Sequence, residues 1–190
     1  GCGGGGGGGG TSAGDAGSTS TAQVASQGTV TGFGSIVVDG THIDDSAASV
    51  LRHDETALGE GTSVGTNAAQ LGQRVSISLD ATGKARAIHI EPELIGAVSA
   101  IDGAGLVITV NGVRVRINTS DAAGPLTSFG GYSQFSDIQV GDRVEVHGFP
   151  VVDNTGLITI QATRVARAPG ASSIIVSGPV TNLAAGSFNI

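Results

Sequence analysis

The sequence predicts an all-β protein, built as tandem small OB-like barrels behind a disordered, Gly/Ser-rich N-terminal tether. Three observations lead there. Helix formers are scarce: Lys84 is the one lysine, Met and Trp are absent, and Gly reaches 33 of 190 residues, a bias that favours strands joined by tight turns. Apolar residues recur with a period of two, as in Val113, Val115 and Ile117 with Arg114 and Arg116 between them, or Val75, Ile77 and Leu79 with Ser76 and Ser78 between. That alternation describes strands with one dry and one wet face. Finally, several short segments return in the same order along the chain.

Charge narrows the function classes. A formal charge of −7 and a pI near 4.8 oppose attachment to a phosphate backbone, where affinity depends on Lys and Arg displacing counterions. Nucleic acid is therefore not an expected partner. No apolar run approaches the ~20 residues of a membrane-spanning helix, so any membrane attachment must come from something other than a span.

The N-terminus offers one. Cys2 is the single cysteine, followed by glycines from Gly3 to Gly10 and a Thr, Ser, Ala and Gly-rich run to Gln27. Such a segment cannot bury a core and reads as a flexible linker over residues 1–27. Gly1-Cys2 resembles the end of a bacterial lipobox, in which a small residue precedes the cysteine that receives diacylglycerol. The other reading of Cys2 is a free thiol in a disordered tail. Acylation on two or three chains would anchor stably, where a single chain is marginal. Gly3, in place of Asp after the cysteine, points to the outer membrane of the cell envelope if the source is a Gram-negative bacterium.

The repeats organise the remainder. Gly28-Thr-Val-Thr31, Gly96-Ala-Val-Ser99 and Gly178-Pro-Val-Thr181 open three segments alike. Val38-Asp39-Gly40 corresponds to Val110-Asn111-Gly112, Leu71-Gly72-Gln73-Arg74-Val75 to Val140-Gly141-Asp142-Arg143-Val144, and Asp80-Ala-Thr-Gly83 to Asp153-Asn-Thr-Gly156. Recurrence in one order predicts duplication, with a first barrel over 28–92, a second over 93–169, and the start of a truncated third over 170–190. Asp39-Gly40 and Asn111-Gly112 predict two-residue hairpins, since a type I′ turn needs positive φ at both central residues. Each repeat then reads as three strands, a variable connector (46–70 and 120–139) and two more strands. Ser136 to Ile138 is expected to form a helical turn. Such an order fits a small OB-like barrel, which closes its sheet and removes exposed edges.

Gly28-Thr-Val-Thr-Gly-Phe-Gly-Ser-Ile-Val-Val-Asp-Gly40, Val140-Gly-Asp-Arg-Val-Glu-Val-His-Gly148 and Gly178-Pro-Val-Thr-Asn-Leu183 resemble the bacterial domain of unknown function family 5666, over roughly residues 28 to 190. The resemblance implies tandem copies in surface or periplasmic lipoproteins. It carries no activity and no functional residues.

Chemistry-bearing patterns are sparse. Asp153-Asn154-Thr155-Gly156 is similar to the Asp-Thr-Gly of aspartic proteases except for Asn154, and Asp80 to Gly83 departs in the same way; both read as Asp-capped turns. A cysteine in a mobile tether is not an oriented nucleophile. A non-enzymatic protein without a cofactor is the expectation. His42, Asp44 and Asp45 are the candidate metal ligands, although their spacing matches no recognised ligand set; a metal-binding protein or metal-dependent enzyme built on the His/Asp positions is the alternative reading. His147, alternating with Val146, is expected on the wet face of its strand. Phe129, Tyr132 and Phe135 place three of the six aromatics in the second connector. They read either as a ligand-binding lip or, for Phe129 and Phe135, as a plug for the open barrel end; in the first connector Leu51 and Leu58 would have to supply that plug. The functional expectation is a lipid-anchored envelope module for binding, adhesion or structure, with an envelope protein or glycan as partner.

Overall fold

A computed structural model describes residues 24–32, 36–52, 57–60, 69–168, 175–176, 181–184 and 187–189. Cys2 and most of the expected tether lie outside the described residues. Apart from 3₁₀ turns at Asp121–Ala123 and Phe135–Asp137, the regular structure described is strand.

In the first half, β1 (Val24–Gly32), β2 (Ile36–Val38), β3 (Thr41–Ile43), β4 (Ser49–Leu51), β5 (Ala57–Glu60), β6 (Arg74–Leu79) and β7 (Ala85–Ile90) form one sheet in the order β3-β2-β1-β6-β7-β4-β5. β1 begins ahead of Gly28, and Val24, Ser26 and Gln27 already pair with β6. In the second half, β8 (Leu94–Asp102), β9 (Val107–Val110), β10 (Val113–Arg116), β11 (Ser128–Gly130), β12 (Arg143–Val152) and β13 (Ile158–Arg167) follow the order β10-β9-β8-β12-β13-β11. β10 also pairs in parallel with β13, so β8, β9, β10, β13 and β12 return to β8 as a closed five-stranded barrel. The first sheet has the same strand sequence around its core, and there the Ala85 N–H donates to the Asp44 carbonyl at 2.8 Å, joining the end of β3 to the start of β7. β14 (Ile175–Val176) adds to β8. β15 (Thr181–Ala184) and β16 (Ser187–Asn189) pair with each other, within the stretch read as the start of a third repeat.

The turn chemistry is as the sequence predicts. Asp39 and Gly40 take φ of 47° and 80°, and Asn111 and Gly112 take 50° and 77°. Asp80 Oδ1 accepts from the N–H groups of Thr82 and Lys84 and from the Thr82 hydroxyl; Asp153 Oδ1 does the same with Thr155 and Leu157. At the head of β6 the Gly72 N–H donates to the Val30 carbonyl and the Val30 N–H to Gln73; at the head of β12, Gly141, Val98 and Asp142 repeat both bonds.

Each sheet wraps its own core. Ile36, Val50, Ile77 and Ile88 are fully buried in the first, and Ile108, Val115, Val144 and Val165 in the second. Each such side chain is worth about 1.5–3 kcal/mol relative to exposure. The connectors contribute through short parallel strands: β4 on β7, with Val50 beside Ile88, and β11 on β13, with Phe129 beside Val165. Val50 therefore fills the place that Phe129 occupies in the second barrel. Leu51 points the other way and is half-buried, because neighbouring strand residues face opposite sides; Leu58's side chain lies outside the described residues.

The two halves differ in their last hairpin. β6 and β7 have 6 residues each, β12 and β13 have 10. The β12–β13 register shifts between His147 and Gly148, and a β-carbon on Gly148 would stand 2.3 Å from the Gln161 carbonyl oxygen. This bulge lets the hairpin run on past the barrel.

Candidate functional site

The aromatic connector faces inward. Tyr132 is 8% exposed and belongs to the second core, while Phe129 and Phe135 are half-buried against it. The Tyr132 hydroxyl donates to Asp142 Oδ2 at 2.9 Å, and the Arg167 guanidinium lies 4.2 Å from the ring centroid. Burial, reinforced by the Asp142 carboxylate, pushes the phenol up to about 12. The Gln139 N–H and then the Tyr132 hydroxyl hold the Asp142 carboxyl below its ordinary value. Phe135 opens a 3₁₀ turn with a reciprocal Gln134/Asp137 capping box, one residue before the expected helical turn. The three rings pack together with the second core, and Tyr132, 8% exposed, presents no free face for stacking on a ligand.

His42, Asp44 and Asp45 diverge. His42 is exposed, opposite Val37 in the β2–β3 pair. Asp44 points to solvent, accepts from the Ser46 N–H and hydroxyl, and lies 3.2 Å from Lys84 Nζ; the Ser46 N–H above all lowers its pKa to about 2. Asp45 turns into the interior, 5% exposed, where Oδ1 accepts from the Ile36 N–H at 3.2 Å. Among the described residues no three His, Cys, Asp or Glu side chains are grouped to hold a metal ion.

His147 corrects the reading of its strand. It points away from its own core, yet it is 0% exposed, because the first sheet covers that face. Nδ1 accepts the backbone N–H of Arg74 at 3.0 Å, and Nε2 lies 2.6 Å from Glu145 Oε1. Around it, Thr163 Oγ1 donates to the Gly72 carbonyl at 2.6 Å, and Ser128 Oγ and Arg164 Nη1 donate to the Leu71 carbonyl. The turn at Leu71-Gly72 is thus seated on β13 and β11. In the sequence Gly72 is only a repeat landmark matched to Gly141; a β-carbon there would stand 2.2 Å from the Thr163 carbonyl oxygen.

A different face collects exposed functionality. β10, which closes the barrel on β13, lies beside the β12–β13 hairpin, so three strands run side by side. Their registers set Arg114 beside Thr159 and Val151, and Arg116 beside Gln161 and Phe149. Val115 and Ile160, between these rows, are buried in the core, so alternation sends the two rows outward. Arg114, Arg116, Thr159, Gln161 and Val151, with Asp153 and Leu157 from the turn, line a cleft of about 140 Å³. Phe149, Val151, Val152, Leu157 and Ile158 are all exposed on this hairpin; elsewhere among the described residues the exposed large apolar side chains are Leu71, Leu126 and Val140. Neither arginine makes an ion pair with a carboxylate among the described residues. Asp153 is held ionised chiefly by its turn bonds to Thr155 and Leu157, with the charge of Arg114 adding to the effect. Each half of this pattern is legible in the sequence, but not their meeting, since β10 and β13 are more than 40 residues apart.

No curated protein and no solved structure matches the chain. A family model described as a domain of unknown function (DUF5666) matches residues 95–166, from the second residue of β8 to near the end of β13. The matched segment is the one that forms the closed five-stranded barrel.

Proposed function

We propose that this chain is a non-catalytic binding module of the bacterial cell envelope, held to the membrane through lipid on Cys2, and that its two barrels arose by duplication. The observation that carries the binding role is the extended β12–β13 hairpin, which holds five large apolar side chains in water beside two arginines. Exposed apolar side chains gathered in one place mark contact surfaces. The shorter β6–β7 hairpin has no such extension, so the second barrel is the specialised one. The recurring turns and backbone bonds support duplication, and the Gly-rich run after Cys2 supports a tether long enough to present the barrels away from a surface. An envelope protein or glycan is the partner that fits this placement. The test compares retention of envelope-extract components on the immobilised chain and on its Val151→Ser/Leu157→Ser variant. Loss in the variant, with an unchanged melting temperature, supports the reading; equal retention overturns it.

A further inference from the structure

We propose that the cleft between β10 and the β12–β13 hairpin recognises a singly charged carboxylate on a short branched aliphatic stem. This rests on the binding role proposed above and names the ligand chemistry of the same face. Arg114 and Arg116 are two residues apart on one strand, so their guanidinium groups leave the sheet on the same side, separated by one pleat repeat. Guanidinium presents a planar fork of N–H donors that matches a carboxylate. Thr159 and Gln161 stand beside them in the parallel register and add a hydroxyl and an amide; Gln161 Nε2 donates to the Arg116 carbonyl at 3.3 Å, which ties the amide to β10.

Two features select among anions. Asp153 lines the same cleft and is ionised, so two arginines and one aspartate leave one net positive charge, which favours a monoanion over a phosphate dianion. Two apolar side chains, Val151 at 46% and Leu157 at 47% exposure, line the same cleft, and its volume of about 140 Å³ takes a branched aliphatic group but no large ring system. In a chain of net charge −7, this is a local reversal of sign beside two apolar side chains.

Such a carboxylate could come from a free acid or from the C-terminus of a peptide ending in an aliphatic residue. The experiment is a titration of the full chain, followed by backbone amide and arginine Nε–H resonances, with isovalerate, acetyl-Gly-Leu carrying a free carboxylate, and the C-terminal amide of acetyl-Gly-Leu. The expected result is saturable shifts at Arg114, Arg116, Thr159 and Gln161 with the free-carboxylate probes, none with the amide, and affinity about tenfold or more weaker in Arg116→Gln, because a charge-assisted bond is lost. Isovalerate alone binding identifies a free acid; the peptide binding more tightly identifies a chain terminus. Either supports the proposal. It is overturned by silence of both carboxylates, by equal shifts with the amide, by binding unchanged in Arg116→Gln, or by equal shifts at Arg86, an exposed arginine of the first barrel. Silent carboxylates alongside envelope retention that still depends on Val151 and Leu157 overturn only the ligand assignment; loss of both overturns the binding role as well.

Discussion

Arg74 in the first sheet donates its backbone N–H to Nδ1 of His147 in the second, at 3.0 Å across 73 residues of chain. An accepting Nδ1 has no proton, so Nε2 carries it and donates to Glu145 Oε1 at 2.6 Å. The junction between the barrels is therefore built around a neutral imidazole. Burial lowers its pKa; Glu145 opposes the shift, and the charges of Arg164 and Arg74 add to it.

This fixes the sign of a pH dependence. The unfolded histidine takes up a proton near its ordinary pKa of about 6.5 and the native one only at lower pH, so the unfolded state binds more protons as pH falls and stability declines below about 6.5. Between pH 6.5 and 5.5 the loss attributable to His147 is at most roughly 1 kcal/mol. Denaturant titrations at both values should show it in the native protein and not in His147→Gln; the same pH slope in both would contradict the neutral junction histidine.

Gly72 and Gly141 occupy equivalent turns, with φ of 82° and 94°, but have different surroundings. Replacing Gly141 by Ala puts a β-carbon into open space and costs about 1–2 kcal/mol of left-handed strain. Gly72→Ala adds a collision with the Thr163 carbonyl oxygen and the Ser128 hydroxyl. It should cost more in denaturant midpoint and also raise hydrogen exchange at the Arg74 amide, which Gly141→Ala leaves protected. Equal effects would mean that the junction does not depend on close approach at Gly72.

Tyr132 separates packing from hydrogen bonding. Tyr132→Phe removes only the bond to Asp142 and should cost about 1 kcal/mol. Tyr132→Ala removes a core ring and should cost about 3–5 kcal/mol. Thermal or chemical denaturation reads both, and a Tyr132→Ala variant as stable as the native protein would place the ring outside the core.

Cys2→Ala in the full precursor should move the protein from the membrane fraction to a soluble exported form, because the Gly/Ser-rich tether has no other membrane affinity. Fractionation of cells expressing each form measures it. Membrane retention without the thiol would count against the lipid anchor.

The sequence by itself determined what neighbours along the chain decide. Period-two alternation set the strands and their inward residues, and Asp39-Gly40, Asn111-Gly112, Asp80 and Asp153 set the turns, because the sign of φ and an aspartate's reach to an N–H two residues on are local properties. Tertiary structure alone decided what covers an outward-facing residue. His147 alternates with core valines just as Glu145 does, and nothing in that alternation distinguishes a strand face meeting water from one meeting a second barrel. Tyr132 is likewise one polar-tipped ring in a glycine-rich connector until the closed barrel gives it a cavity and Asp142 gives its hydroxyl an acceptor. Arg114 and Arg116 read as ordinary wet-face residues. Only the parallel closure of β10 on β13 brings them to Thr159 and Gln161, because that register is set by burying Val115 and Ile160 together in the core.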